Sequence, residues 1–238
     1  MNTIFQNNEN YTFSTIDATA ERKLMRNVYG WMSLALAITG LTSYYVASSQ
    51  AILSAIFSNQ IVFWGIAIAE LVLVMVLSAR IDKLSFQTAG IMFAVYSILN
   101  GVLLSSIFVV YTMESIASTF FISAGMFAAM AVIGSFTKKD LSGIGRFAIM
   151  AVIGLIIASV VNMFLQSSRF SLVISIIGVV IFSALTAYDA QKIKAMLHEY
   201  GSDVNDTTRK IALMGSLSLY LDFINMFLYL LRIFGRRN

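Results

Sequence analysis

Cysteine and proline are both missing from the 238 residues, and His198 is the single histidine. Without cysteine the chain has no disulfide, no thiolate chemistry and no cysteine-based metal site, and its redox compartment is not indicated. Without proline, a broken membrane helix is not marked by that residue, although glycine still permits one. Charge is scarce as well, since only 12% of the residues are charged, far below the average soluble domain.

Apolar residues make up most of the chain, since 58% of its residues are hydrophobic. A hydrocarbon core about 30 Å thick is crossed by about 20 helical residues. Seven apolar runs come close to this length, at 27–47, 61–79, 86–111, 116–136, 147–166, 170–189 and 211–231. The sequence therefore predicts an all-α, polytopic integral membrane protein, a helical bundle of seven transmembrane helices.

The chain divides into a short polar start and one long apolar remainder. Residues 1–26 are polar and too long before the first apolar run to resemble a cleaved signal peptide. We interpret them as a cytoplasmic N-terminal segment. No repeat or linker interrupts the rest, so residues 27–238 are predicted to form a single seven-helix transmembrane domain.

Basic residues orient the bundle. The net charge of +4 lies in short clusters between apolar runs, which favours a membrane orientation signal over nucleic-acid binding. With the N-terminus in the cytoplasm, the basic residues of the inner loops are Arg22, Lys23, Arg26, Arg80, Lys83, Lys138, Lys139, Arg146, Lys192, Lys194, Arg209 and Lys210. Only Arg169 then lies in an outer loop. The seventh run carries Arg232, Arg236 and Arg237 outward if it crosses, and we expect it to cross because 21 residues suffice.

Small residues four apart predict places where helices approach closely. Such pairs are Gly125 with Ala129, Gly154 with Ala158, and Ser183 with Ala187.

Three acids lie where a bilayer makes charge expensive. Glu70 is central in "WGIAIAELVLVMVLSAR", Asp189 ends the sixth run in "LTAYDAQKIK", and Asp222 is central in "LSLYLDFINMFLYLLRIFG". A charged carboxylate at the membrane centre costs from about 2.5 to well over 10 kcal/mol, depending on the measurement, so such residues are usually functional. The alternative for Asp222 is a neutral acid, hydrogen-bonded to serine or asparagine within the bundle.

Two polar stripes carry the aspartates. In the seventh run, helical spacing aligns Gly215, Ser218, Asp222, Asn225 and Tyr229, and in the sixth it aligns Ser175, Gly178, Phe182, Thr186 and Asp189. If the stripes face each other, the two carboxylates meet and titrate as a coupled, pH-sensitive unit. Ionised, they offer the hard oxygen ligands that suit Ca²⁺.

The two aspartates are expected at different depths in the membrane, which argues against this contact. Measured from Lys210, Asp222 lies about 18 Å along its helix, whereas Asp189 lies close to the interface. A tilted seventh helix, or one whose first turns stand in the cytoplasm, would bring the two together. Arg80 ends the second run at the same surface as Asp189. It is either a salt-bridge partner of Asp189 or an arginine that snorkels to the membrane boundary.

Enzyme motifs are incomplete. Tyr-Asp at 188–189 resembles the first half of an intramembrane aspartyl protease site, but Asp222 follows "LYL" instead of Gly-x-Gly. The proline-containing motif of those proteases is excluded by composition. "HEY" at 198–200 lacks the second histidine of a zinc protease. We therefore expect neither an enzyme nor a cofactor.

The C-terminal segments "LTAYDAQKIK" and "LSLYLDFINMFLYLLRIFG" resemble the signature of the Bax inhibitor-like membrane proteins, and "TKKDLSGIG" and "VYGWMSLALAITG" resemble the bacterial branch of that family. The resemblance implies six helices around a central seventh, in the bacterial inner membrane, and a pH-sensitive Ca²⁺ leak. It implies that Asp189 and Asp222 form the pH-sensing dyad, that Arg80 latches it, and that Glu70 lines the ion path. Ser218 and Asn225, on the stripe of Asp222, are candidates for the same path.

Two other functions remain open at this stage. A non-conducting regulator would restrain a membrane partner, such as a quality-control protease, through the stripe of the seventh helix. A proton-coupled transporter of an organic solute would use the intramembrane acids as a proton relay.

Overall fold

The computed structural model describes residues 18–200 and 205–238, so most of the predicted N-terminal segment, residues 1–17, lies outside the described residues. Within these ranges all regular elements are helical. The helices are α1 (Ala18–Ala47), α2 (Gln50–Phe57), α3 (Gln60–Arg80), α4 (Phe86–Leu104), α5 (Ser106–Val110), α6 (Met113–Phe136), α7 (Ser142–Leu165), α8 (Ser168–Tyr200) and α9 (Asp206–Phe234), with a 3-10 turn at Ile81–Lys83. The prediction of an all-α fold is confirmed.

Six helical segments have the length and apolar composition of a membrane span. They are Gln60–Lys83, Phe86–Val110, Met113–Phe136, Ser142–Leu165, Ser168–His198 and Asp206–Phe234. The first predicted run, 27–47, lies within α1, which does not belong to this group. The polytopic membrane bundle is therefore supported with six candidate spans among the described residues.

Helix α2 lies between the first two predicted runs, in a segment for which the sequence predicts no membrane span. The Ser49 side chain caps it by accepting a hydrogen bond from the Ile52 N–H at 3.4 Å. Leu53 and Ile56 are buried against the neighbouring helices. Eight residues are too few to cross a bilayer, so a search for spans of about 20 residues passes over this helix.

The basic residues predicted for the inner loops lie at one end of the bundle, called here the basic end. At this end α3, α6 and α8 finish, and α4, α7 and α9 begin. At the opposite end, the Thr112 N–H donates to the Arg236 carbonyl at 3.0 Å, and the Arg236 N–H donates to the Ser115 hydroxyl at 3.0 Å. The residues after α9 are thus bound to the start of α6. Helix α9 therefore runs the full length of the bundle.

Helix α9 is the most buried of the six candidate spans. Of its most apolar window 67% is buried, compared with 6% for the span that contains α3. It packs against α1, α4, α6 and α8. Tyr220, Leu217 and Met226 are among its fully buried side chains. Residues of α9 therefore contribute a large part of the core.

Glycines bring α8 close to its neighbours. A Cβ on Gly134 of α6 would meet the backbone of Ala187, and one on Gly145 of α7 would come within 2.5 Å of the Tyr188 ring. The prediction of close approach at Gly125 and Gly154 is wrong, because a Cβ at either position would meet nothing within 4 Å. Spacing alone does not distinguish the face of a helix that packs from the face that lies against lipid.

Candidate functional site

Contacts at two heights set the register of α8 against α9. Near one end, the Tyr229 ring stacks on Phe182 with centroids 5.9 Å apart. Nearer the basic end, a Cβ on Gly215 would come within 2.8 Å of the Ile193 side chain. The helices are antiparallel, so the positions between these contacts pair in reverse order. This register brings Asp222 opposite Asp189.

Both aspartates line one cavity of about 580 Å³ between α7, α8 and α9. Asp222 is buried, with 5% of its surface exposed, and Asp189 is half-buried. The two carboxylates are close enough to interact electrostatically. The structure therefore places the two aspartates at one cavity, and their action as a unit stays a prediction.

Ser218 and Asn225, one turn before and one turn after Asp222, line the same cavity. The Asn225 side-chain N–H donates to the Leu221 carbonyl at 2.8 Å, which directs the amide along its own helix. Within the described part of the chain, Asp222 Oδ2 is buried without a hydrogen-bond partner. A buried oxygen of this kind is costly unless a proton, water or cation satisfies it.

The walls of the cavity are mainly apolar. Ile149, Val152, Ile153 and Ile156 of α7 line it together with the carboxylates. Apolar surroundings strengthen the electrostatic interaction between charges, because the effective dielectric constant is lower than in water. The arrangement can therefore share a proton between two carboxylates or hold a hard cation.

The protein oxygens of this cavity form an incomplete shell for Ca²⁺. The ion takes six to eight oxygen ligands, and among the described residues no three acidic, histidine or cysteine side chains come together. The two carboxylates, with the hydroxyl of Ser218 and the amide oxygen of Asn225, would leave part of the shell to water. The described residues alone therefore do not complete a Ca²⁺ site.

The length of α8 resolves the difference in depth between the two aspartates. The apolar run ends at Asp189, but the helix continues to Tyr200, and α9 begins at Asp206. The last turns of α8 and the first turns of α9 thus extend together beyond the apolar run. Of the two explanations that the sequence left open, protruding first turns of the seventh helix agree with these bounds.

Two predicted site residues lie away from the cavity. Arg80 is exposed at the end of α3 and does not line the cavity. The cation that does line it is Lys192, about one turn after Asp189 on α8. Lys192 is also one of the basic residues that predict the orientation, and its spacing from Asp189 places both on one helix face.

Glu70 belongs to a second polar cluster, between α3 and α4. The Asn100 side-chain N–H donates to Glu70, and the Tyr96 hydroxyl lies near the same carboxylate. Asn100 and Tyr96 lie one turn apart in the third apolar run and were not singled out from the sequence. A lone asparagine within an apolar run was the available signal.

This second cluster continues toward α9 and α1. The ring of Tyr96 meets the ring of Tyr220 edge-on, with centroids 5.9 Å apart. The Thr39 hydroxyl donates to the Ser97 carbonyl at 2.9 Å. It also forms a hydrogen bond with the Tyr220 hydroxyl at 2.7 Å. Helix α9 thus carries the aspartate cavity on one side and this buried cluster on another.

Comparisons with known proteins agree with the resemblance. The family described as "Inhibitor of apoptosis-promoting Bax1" matches residues 21–238. The inner membrane protein YbhL of Escherichia coli (strain K12) is 49% identical over 213 residues, which cover 90% of this chain and 91% of that protein. An uncharacterized protein of Borreliella burgdorferi is 44% identical, with 93% and 98% covered.

A relative of lower identity aligns with this chain over a similar length. An uncharacterized membrane protein of Streptococcus pyogenes serotype M1 is 38% identical over 213 residues, covering 89% of this chain and 91% of that protein. The family match at residues 21–238 includes both aspartates, and the relatives cover about nine tenths of the chain. The chain therefore belongs to the Bax inhibitor-like family of membrane proteins.

Proposed function

We propose that the protein is a pH-sensitive leak for Ca²⁺ across the bacterial inner membrane, with Asp189 and Asp222 as its gate. The location rests on the six apolar spans and on the name of the relative YbhL, an inner membrane protein. In this proposal α1 is a seventh span and α9 the central helix. The N-terminus is cytoplasmic, because the basic end then faces the cytoplasm.

The observation that carries the proposal is that Asp189 and Asp222 line one cavity of about 580 Å³ whose walls are mainly apolar. Two ionised carboxylates in one cavity repel each other, and a proton or a divalent cation relieves that repulsion. The pair therefore has states that differ in charge. A change in pH or in Ca²⁺ shifts the populations of these states.

Other residues contribute around the pair. Ser218 and Asn225 supply neutral oxygens next to Asp222, so a cation at the pair exchanges water for protein ligands in small steps. Lys192 offers a positive charge at the same cavity, and it competes with a cation for the carboxylate of Asp189. Each of these roles follows from the position of the residue in the lining of the cavity.

Arg80 and Glu70 remain predictions from the family resemblance. As the latch, Arg80 would act in a state in which the end of α3 approaches α8, since Arg80 does not line the cavity here. As part of the ion path, Glu70 would form a second acidic position, between α3 and α4. Arg80→Gln and Glu70→Gln are therefore tested separately from the two aspartates.

The proposal is tested by Ca²⁺ flux into liposomes that contain the purified protein, over pH 5 to 8. The parent is expected to pass Ca²⁺ at a rate that changes with pH, and Asp222→Asn is expected to lose that change. Asp140→Asn is the matched control, because Asp140 is an exposed acid in the turn between α6 and α7. Flux equal to that of empty liposomes at every pH would overturn the proposal.

The competing function is a regulator that binds a membrane partner and conducts nothing. It requires the stripe of α9 to be accessible to the partner, but Asp222 is buried. If flux stays at background while Asp222→Asn abolishes capture of a partner, the regulator replaces the leak. A pH gradient that collapses on addition of an organic solute would instead indicate a transporter.

A further inference from the structure

A groove of about 390 Å³ separates α1 from α6 at the basic end. Both helices pack against α8 and α9, but they are not among the helix pairs that pack closely with each other. Met25 and Tyr29 of α1 form one wall. The other wall consists of residues of α6, namely Phe127, Ala128, Ala131, Val132 and Phe136. The walls of the groove are therefore mainly apolar.

Two basic side chains line the same groove, Arg22 of α1 and Lys194 of α8. The Lys194 ammonium donates to the Ser135 carbonyl at 3.0 Å and lies 5.5 Å from the centroid of the Phe136 ring. Both contacts are with the last turn of α6. The positive charge is thereby fixed at the boundary of the apolar helix and does not extend away from it.

Close packing places Lys194 at this height. A Cβ on Gly134 would collide with the backbone of Ala187, so α6 and α8 touch there. Lys194 follows Ala187 by about two helical turns, which brings it beside the end of α6. The backbone of Lys194 thus lies past the end of α6, and its side chain reaches back to the Ser135 carbonyl.

The groove thus has an apolar body and a cationic mouth. The body borders α6, which is apolar enough to span the membrane, and the mouth lies where α6 ends at Phe136. An amphiphile with an acyl chain and a negative head has the complementary distribution. Basic pockets between membrane helices at the cytoplasmic side commonly bind anionic lipid head groups.

We propose that this groove is a binding site for an anionic glycerophospholipid. One acyl chain lies between α1 and α6, and the phosphate lies between Arg22 and Lys194. Arginine and lysine form charge-assisted hydrogen bonds to phosphate oxygens, and these bonds are stronger than neutral ones. The site uses neither aspartate and is independent of ion conduction.

Native mass spectrometry of the full-length protein in detergent tests the site. Phosphatidylglycerol and phosphatidylethanolamine with identical acyl chains are added separately, so that only the head group differs. The parent is expected to retain phosphatidylglycerol preferentially. Arg22→Gln combined with Lys194→Gln is expected to weaken that binding roughly 30-fold, since each cation near the surface contributes about fivefold.

Charge-matched controls separate a site from general surface charge. Lys138→Gln with Lys139→Gln removes two positive charges at the same end from residues that do not line the groove, and it is expected to leave binding unchanged. Arg22→Lys with Lys194→Arg retains both charges and is expected to retain most of the binding. Equal weakening by the Lys138 and Lys139 substitutions would overturn the proposal.

The groove itself is tested by filling it. Ala128→Trp places a large ring in the groove and is expected to reduce phosphatidylglycerol binding, whereas Ala129→Trp, on a residue outside the lining, is not. Equal binding by these two variants would contradict a bound acyl chain. Displacement of the lipid by millimolar glycerol phosphate would likewise overturn the proposal, since a soluble phosphate would then be the ligand.

Discussion

The ring of Tyr229 on α9 lies against Gly178 on α8, so closely that a Cβ at position 178 would come within 2.6 Å of it. The same ring stacks on Phe182, one turn further along α8. Asp222 precedes Tyr229 by about two turns on the same helix. This contact thus helps to fix the height at which Asp222 meets α8.

Gly178→Ala is expected to destabilise the protein by about 1–3 kcal/mol, because the added methyl group forces the packed Tyr229 ring to move. Gly154→Ala is the matched control, since its methyl group would enter open space. Alanine is favoured over glycine within helices by up to about 1 kcal/mol, so the control is expected to be neutral or stabilising. Thermal unfolding in detergent measures both, and equal melting temperatures would contradict the packing argument.

Tyr220→Phe removes the hydroxyl that hydrogen-bonds with Thr39 between α9 and α1. The expected loss of stability is about 0.5–1.5 kcal/mol, since buried hydrogen bonds between membrane helices contribute modestly. Tyr45→Phe serves as the control because Tyr45 is 70% exposed. Denaturant titration compares the two variants. A Tyr220→Phe protein as stable as the control would show that the bond contributes nothing.

Ser115→Ala is expected to loosen the attachment of the residues after α9. The Ser115 hydroxyl is buried and accepts from the Arg236 N–H, so its removal leaves that N–H without this partner. Hydrogen exchange at Arg236 and Thr112 is expected to accelerate by about tenfold, which corresponds to one ordinary hydrogen bond. Ser118→Ala changes a neighbouring serine of α6 and is expected to leave these two amides protected. Unchanged exchange in Ser115→Ala would mean that the backbone contacts suffice.

Asp140 is expected to remain ionised throughout the flux experiment. The hydroxyl and the backbone N–H of Ser142 donate hydrogen bonds to it and hold the pKa of the Asp140 carboxyl below its usual range. A lowered pKa stabilises the folded state above the unfolded pKa, and that contribution is lost only as pH falls through the folded pKa. Asp140→Asn should therefore give a flux profile parallel to that of the parent between pH 5 and 8. A flattened profile would assign the pH response to this turn and not to the aspartate pair.

Much of the fold followed from apolar periodicity and length. The long apolar runs correspond to helices, because satisfying backbone hydrogen bonds in lipid leaves a helix as the simplest structure. The exceptions are informative. Helix α2 is too short to span, and the extension of α8 from Asp189 to Tyr200 is too polar to register as part of an apolar run.

The aspartate site was predictable to the level of helix faces. Spacing aligned Asp222 with Ser218 and Asn225, and the structure places all three at one cavity with Asp189. Register was not predictable, because it depends on the contacts of Gly178 and Gly215, which are distant in sequence from their partners. Whether Arg80 reaches the pair depends on how α3 sits in the bundle, and no spacing within one helix contains that information.

The central claim is that Asp189 and Asp222 act as one unit, and a double-mutant cycle on Ca²⁺ flux tests it most directly. Asp189→Asn, Asp222→Asn and the double variant are compared with the parent in liposomes over pH 5 to 8. Residues that share one site are strongly non-additive. The account predicts that each single variant abolishes the pH response and that the double variant adds nothing further. Independent, additive effects of the two substitutions, or a pH response that persists in the double variant, would contradict it.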